Sequence, residues 1–596
     1  IELFSEEIPA RMQNDAELEF LKLFEKACKS RGISFKGHEL YSTPRRLGLF
    51  IRNIDEKQEN QFIEIKGPSI FAEDRAINGF LKTHNEKKKN LNRKKTKKGE
   101  FFFIEKVLKG KNTKLLFPEI IKEIILNFNW PKSQRWGNSE IKWARPLRNI
   151  LLLIDDKEIN GKISFGNEEK IVFSNYTFGH RFYSKKVKID NIQSYKKKMK
   201  KVFVYVDRIE RKKVISSQIN SILKGNNLKL HDDLKLLEEV NALVEFPNTM
   251  LGKIEKKFMK LPFEVLSTSM KVHQKYFTIL DQSNKTAPYF IVVANTPKVK
   301  KNDKTIIFGN EKVLKARLSD ALFFWESDIE TSFDYLLKNL EKVSFFEGLG
   351  NLLDRSTRIS NLTVSLIQYF KYENIEQASN IGLYSKVDLI SNMVGEFPEL
   401  QGIMGGYYSK YNGYNNEFKI ALMDQYKPKR QEDDIPRNDL GCILSLSNNL
   451  DTLTSFFSIG LQPTGSRDPY ALRRSGNGII RILLDRRVEI SLYHLFSISL
   501  KTTTTDQNSI KEALIKFILE RFKIILIDEK FSIDLIDSAL SNSMISNKTL
   551  YLIRENIIKL KDFINSKKGK LFLKNYKRIF NIIKNIDKNK LPKSIN

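Results

Sequence analysis

A multidomain α+β fold is the architecture this sequence predicts, on three grounds. At 596 residues the chain is longer than one hydrophobic core usually organises. Through roughly the first 320 residues, strand-like and helix-like apolar patterns alternate, which predicts a mixed α/β half. From about Ala321 helical spacing takes over. It resumes beyond the polar stretch 502–508 (TTTTDQN), which reads as a linker. The expected divisions are therefore 1–320, 321–500 and 501–596, with more than one domain in the first part and no internal repeat.

The elements follow in chain order. Residues 15–28 carry apolar side chains at amphipathic helical spacing. Residues 40–51 and 62–66 read as strands, and Thr43-Pro44-Arg45-Arg46 interrupts the first. Residues 87–98 hold eight basic side chains in twelve with almost nothing apolar, which fits a mobile loop or a hairpin. Residues 150–154 and 202–206 are short apolar runs of buried-strand type. Leu236, Leu237, Val240, Leu243 and Val244 make one helical face that Pro247 ends. Further on, Leu389, Ile390, Met393, Val394 and Phe397 form a stripe, and 440–457 reads as a helix. Beyond the linker, 513–526, 532–541, 550–565 and 571–585 read as helices.

Composition narrows the function. No apolar run approaches the roughly 18–20 residues that span a bilayer, so no membrane partner is expected. Cys28 and Cys442 form no CxxC or metal pattern and fit buried thiols in a reducing cytoplasm. Net charge is +31, from 102 Lys+Arg against 71 Asp+Glu. A polyanion is the natural partner of such a chain, RNA first. The joint richness in Lys, Asn and Ile also reflects an AT-rich coding composition, so arginine placement says more than net charge. The chain begins at Ile1 inside a strand-like run, which points to a few missing N-terminal residues.

The most informative segment is 461–474, LQPTGSRDPYALRR. A glycine-containing turn leads to Asp468, a good N-cap, and to Pro469, suited to the first helical position. Leu472, Ile479, Ile480, Leu483 and Leu484 then recur at helical spacing. Arg473 and Arg474 thus sit one turn into a helix whose N-terminus favours anions, unless they are merely solvated arginines on a capped core helix. Arg45 and Arg46, a pair on a Pro-bent strand, suit phosphates. Arg135 and Arg145 stand among Trp130, Trp136 and Trp143, a mixture that suits unpaired nucleotides or, equally, a core. In 177–182 (TFGHRF), His180 and Arg181 either face RNA or a partner, or His180 packs between two phenylalanines.

Segment 461–474 resembles the PTGSxDPxALRR signature of the beta subunits of bacterial glycyl-tRNA synthetases. Other segments match that family in the same order. They are 2–11 (ELFSEEIPAR), 42–50 (STPRRLGLF), 66–69 (KGPS), 131–137 (PKSQRWG), 176–182 (YTFGHRF), 236–247 (LLEEVNALVEFP), 274–277 (QKYF), 309–320 (GNEKVLKARLSD), 396–405 (EFPELQGIMG) and 450–453 (LDTL). The resemblance runs over nearly the whole chain. It implies a subunit that binds and positions tRNA(Gly) in an α2β2 assembly, while the alpha subunit carries the glycine and ATP site. It also implies an HD-type helical domain at 321–500 and the start of an anticodon-binding domain at 501–596, incomplete here. Within the latter, Lys577 and Arg578 match a basic pair near the family's KR-V/I-x-N-I segment.

The chemistry missing from this chain agrees with that implication. Class I signatures and GxxxxGK[ST] are absent. The nearest approaches to a class II ATP site are Arg208-Ile209-Glu210 and Gly476-Asn477-Gly478 with Arg481, both weak, so no catalytic residue is expected. An HD-type phosphohydrolase needs His and Asp ligands on a divalent metal. The six histidines are His38, His84, His180, His231, His273 and His494, and none lies between 322 and 493. No bound metal is expected, and Asp451 in LDTL reads as structural. A stand-alone basic RNA-binding scaffold is the alternative, with the hydrolase behind it.

Overall fold

The computed structural model describes residues 1–96, 99–164, 170–430, 432–465, 467–501, 507–541 and 545–583. The chain forms two units. One comprises Ile1–Lys260 and Ser269–Ala316, the other Leu261–Thr268 and the described residues from Arg317 onward.

The first unit is mixed α+β. Its largest sheet runs, edge to edge, Lys162–Ser164, Lys170–Ser174, Leu147–Leu151, Glu2–Ser5, Arg46–Arg52 and Gly37–Thr43. Only the pairing of Lys170–Ser174 with Leu147–Leu151 is parallel. Helices Ala10–Lys29 and Thr113–Asn127 cover one face, burying Phe20, Phe24, Phe117, Ile120 and Ile124 against Leu47, Leu49 and Ile150. Burying a side chain of this size is worth about 1.5–3 kcal/mol. The expected strand at 40–51 is in fact a hairpin, because Pro44 has no N–H for a ladder and the chain turns there. A second antiparallel sheet, Lys229–Leu230, Phe277–Leu280, Thr286–Asn295 and Pro247–Lys253, packs on helix Arg208–Asn226 through Ile215, Ile219, Ile279 and Ile291. A third joins Gln61–Ser69, Gly99–Leu108 and Leu91–Thr96 under helix Asp74–His84. The basic stretch 87–98 therefore supplies a 3-10 turn and an edge strand; Lys97 and Lys98 lie outside the described residues.

Two sequence expectations are corrected in this unit. Residues 202–206 are not a strand. Val204 and Val206 are buried, but the Val204 amide donates to the Met199 carbonyl, the Tyr205 amide donates to the Glu245 carbonyl, and Phe203 has φ +61°. Burial here comes from packing without a strand ladder, which an apolar run alone does not distinguish. The helix expected through Val244 ends at Asn241, and Pro247 opens a strand.

The second unit is helical. Helicity starts upstream of the expected residue 321, since helix Lys300–Ile329 runs on from the first unit. Helices Leu352–Leu366, Ile375–Leu383, Ile403–Tyr411, Asn416–Asp424 and Asp439–Ser458 pack around a centre with an unusual polar content. The stripe at 389–397 is not one helix. It divides between 3-10 turn Tyr384–Ile390 and short helix Asn392–Glu396, and it still buries Met393, Val394 and Phe397. Farther along come Leu472–Asp485, Leu492–Ser499, Gln507–Asp528, Ile533–Leu540, Leu550–Asn565 and Lys567–Ile583. Residues 502–506 of the expected linker and residues 584–585 of the expected last helix lie outside the described residues. Among the described residues, no helix is long and apolar enough to cross a membrane.

The Asp424 carboxylate gives one test of this packing. It accepts from the Arg437 backbone N–H at 2.9 Å, from Arg437 Nε at 2.7 Å and Nη2 at 3.0 Å, and lies 2.9 Å from Lys427 Nζ. Burial alone would raise its pKa, but Arg437 and Lys427 hold it below the ordinary 3.8. A depressed carboxyl contributes stability that is present above its unfolded value and lost as pH falls through the folded one. Asp424→Asn is expected to cost about 2 kcal/mol at pH 7 and progressively less below pH 3.8. Thermal melts of both proteins across pH check this, and a pH-independent gap contradicts it.

Candidate nucleic-acid interface

The first unit gathers four of the segments singled out above around one buried carboxylate. Strand Arg46–Arg52 and the turn before it bring Arg45 and Arg46 inward. Glu245 approaches from the chain just ahead of strand Pro247–Lys253. Arg46 Nη1 lies 2.7 Å from Glu245 Oε1, Arg45 Nη2 lies 3.2 Å from Glu245 Oε2, and Thr43 Oγ1 donates to the same carboxylate at 2.9 Å. Arg46 Nη2 donates to the Phe178 carbonyl and Arg45 Nη2 to the Gly179 carbonyl, each at 2.8 Å. Arg46 Nε is 3.5 Å from Glu2, which also accepts from the Thr177 and Tyr195 hydroxyls. Burial alone would raise the Glu245 pKa, but Arg46 and Arg45 hold it below its ordinary value.

The paired arginines lie inside this network. Arg46 is 0% exposed and Arg45 8%. Arg46 Nη1 and Nη2 and Arg45 Nη2 are engaged with Glu245 and main-chain carbonyls. His180 is likewise fully buried, and burial lowers its pKa, which keeps it neutral near pH 7. Its neighbour Arg181 stays at the surface, 2.9 Å from Glu6 and 3.3 Å from Glu7. Trp130 and Trp143 are buried beside Phe128, with ring centroids 4.6–5.0 Å apart, so these indoles pack as core and offer no stacking face. Arg135 is exposed, whereas Arg145 is half-buried and donates to the Ala144 carbonyl at 2.7 Å.

In the second unit the basic residues face a cleft. Helix Leu472–Asp485 begins three residues later than the motif suggests, because Ala471 adopts φ +56°. Asp468 still caps it, accepting from the Leu472 amide at 2.9 Å and the Arg473 amide at 3.0 Å. The anion that this N-terminus favours is thus supplied by the chain itself. Arg473 turns back to donate to the Gly465 carbonyl at 2.6 Å, while Arg474 is exposed. Together with the turn at 428–430, the helix bounds a cavity of about 320 Å³. Five cations line it: Lys429, Arg430, Arg473, Arg474 and Arg481. Asp468 is the one acid in its lining among the described residues, and its carboxylate accepts main-chain amides. Arg521 adds to the field. Burial lowers its pKa, and Arg473 nearby lowers it further.

Lys429 and Arg430 escaped the sequence reading because nothing local ties them to residues forty positions onward. Arg481 was weighed only as part of an ATP site. Such a site finds no support in the placement of its pieces. Gly476-Asn477-Gly478 lies inside a helix, and Arg208 opens helix Arg208–Asn226 with Glu238 and Glu17 as ion partners. Lys577 and Arg578 are exposed on helix Lys567–Ile583, beside a stacked row of Phe572, Tyr576 and Phe580. Asp451 is buried between Arg355 Nε at 3.1 Å and Arg358 Nε at 2.7 Å. Lys386, also buried, donates to Gln425 and to the Tyr426 hydroxyl, each at 2.9 Å. Among the described residues, no group of three or more His, Cys, Asp and Glu side chains is arranged to hold a metal ion.

Comparison with known proteins places this geometry in context. Residues 1–541 match the family model described as glycyl-tRNA synthetase beta subunit. The glycine–tRNA ligase beta subunit of Rickettsia bellii is 40% identical over 590 residues, covering 98% of this chain and 86% of the relative. That of Rickettsia prowazekii is 39% identical over 586 residues, covering 98% and 85%.

Proposed function

The chain belongs to the glycyl-tRNA synthetase beta-subunit family, and from that premise we propose that it binds and positions tRNA(Gly) for ATP-dependent glycylation carried out with the alpha subunit. It is a subunit of an aminoacyl-tRNA synthetase and serves protein biosynthesis. In our reading the working assembly is an α2β2 heterotetramer in the cytoplasm, and glycine and ATP bind on the alpha subunit. Residues 1–320 form the mixed α/β region for tRNA and partner. Residues 321–500 are an HD-like domain without metal ligands, and 501–596 belong to an anticodon-binding domain.

The observation that carries the reading is the cleft on the second unit, where five cations stand against one acid and Lys429, Arg430 and Arg474 are exposed. Like charges held together cost free energy unless a polyanion offsets it, and RNA supplies that charge. Arg473 and Arg474 are the leading contacts, with Arg135, Arg145, Arg181, Lys577 and Arg578 as further ones. Binding energy gained there, remote from the reacting atoms, holds the tRNA 3′ end against the activated glycine as an effectively unimolecular reactant.

Glycylation of tRNA(Gly) by this chain, by the cognate alpha subunit, and by the two mixed tests the assignment. Activity is expected only in the mixture. Charging by this chain alone overturns it and directs attention to Arg208 or to 476–481.

A further inference from the structure

We infer that the cleft between the turn at 428–430 and helix Leu472–Asp485 clamps consecutive phosphates of an RNA strand and reads charge rather than sequence. The inference rests on the tRNA-positioning reading. It goes beyond that reading by giving Lys429, Arg430 and Arg481 a role and by stating what kind of contact they make.

Three observations carry it. The positive charge stands on two walls. Arg474 and Arg481 are seven residues apart on one helix face, about 10.5 Å along the axis. Lys429 and Arg430 face them from the turn. Arg481 Nη1 donates to the Arg430 carbonyl at 3.0 Å, which holds the walls at a fixed separation. A groove with two basic walls follows a backbone, whereas a flat basic face does not.

The second observation is the lining. Among the described residues that line the cleft none is aromatic, so a base finds no ring to stack on. At about 320 Å³ the space lies at the lower end of ligand pockets. What the walls offer is guanidinium and ammonium, the groups that grip phosphate oxygens. Contacts of that kind fix position and register without carrying sequence information.

The third is the fate of the one nearby acid. Both Asp468 oxygens accept main-chain amides of the helix start, so the carboxylate holds the arginine-bearing helix and is not the ion partner of any wall cation. The lining keeps a formal charge of +4, five cations less one acid.

The test uses this chain assembled with its alpha subunit, labelled tRNA(Gly), and a labelled tRNA of unrelated sequence, titrated over a range of salt. The variant carrying Arg430→Gln, Arg474→Gln and Arg481→Gln is expected to lower the slope of log Kobs against log salt by about 2 to 3, equally for both RNAs. The corresponding Arg→Lys variant is expected to retain the slope, which separates charge from structural damage. Should the triple change prevent folding, Arg474→Gln and Arg481→Gln alone are each expected to lower the slope by about 0.7–0.9. An unchanged slope alongside intact wild-type binding overturns the clamp and leaves the tRNA-positioning reading standing. A loss confined to tRNA(Gly) also overturns it, in favour of sequence readout. Displacement of tRNA by ATP beyond its effect on ionic strength overturns it in favour of a nucleotide site. A wild-type assembly that binds neither RNA overturns the tRNA-positioning reading itself.

Discussion

Replacing Glu245 with alanine is expected to destabilise the α+β unit by about 3–5 kcal/mol. The change leaves two buried guanidinium groups without their shared counter-charge. Arg45 keeps only the Gly179 carbonyl as a close acceptor, and Arg46 keeps the Phe178 carbonyl, the Thr43 hydroxyl at 3.4 Å and a 3.5 Å approach to Glu2. Carbonyl hydrogen bonds do not offset the desolvation of a full charge. For a unit of this size the loss corresponds to a fall of about 10 °C in the melting transition of that unit. The pH dependence has a definite sign. The neighbouring arginines hold the Glu245 carboxyl below its ordinary 4.5, so its contribution is complete above that pH and is lost as pH falls through the folded value. The gap between wild type and variant should therefore narrow in acid. Glu245→Gln keeps the shape and one acceptor and should fall between the two. Calorimetry of the three proteins decides the matter, and a loss under about 1 kcal/mol for the alanine variant refutes the hub.

Asp451→Ala is expected to destabilise the helical unit by about 2–3 kcal/mol, less than the first change for a stated reason. Asp451 is 1% exposed, but the Arg355 and Arg358 side chains retain 17% and 21% exposure. Released arginines at that depth rehydrate in part. Arg355 also keeps Thr452 at 2.9 Å and the face of Phe345 at 4.2 Å. Replacing all three charged residues, as Asp451→Leu with Arg355→Met and Arg358→Met, is expected to recover most of the loss, since none of these three charges is then stranded. Denaturant melts of single and triple variants measure this. A triple variant as unstable as the single one shows that the ion pairs themselves, and not the avoidance of a stranded charge, hold these helices.

Both predictions concern residues whose roles differ in how far sequence revealed them. The LDTL segment pointed to a structural Asp451, because the region around it offered no histidine for a metal. Its two arginine partners lie on another helix some ninety positions earlier, and no spacing in the sequence identifies them. Glu245 sat inside a segment that had been singled out, but as part of a helix face. Nothing marked it as the partner of arginines about two hundred residues upstream.

What the sequence determined by itself was local. Helical stripes in 15–28, 440–457 and 550–565 formed as their spacing required, because a period of 3.6 is set within a few turns of chain. Pro44 marked a break in a strand, Asp468 marked a helix start, and the many family segments marked the family. The tertiary structure decided everything that depends on which charge finds which. Arg45 and Arg46 suited phosphates in the sequence, and the fold sets them against Glu245, a carboxylate from a distant strand start. Arg474 read the same way and stayed exposed, because the nearby Asp468 had already been taken by main-chain amides. Residues 202–206 looked like a strand, but the chain turns at Phe203, with φ +61°, and buries Val204 and Val206 without a ladder. Pairing, whether of strands or of charges, is a property of chain brought together across long sequence distances, and folding alone sets those distances to a few ångströms.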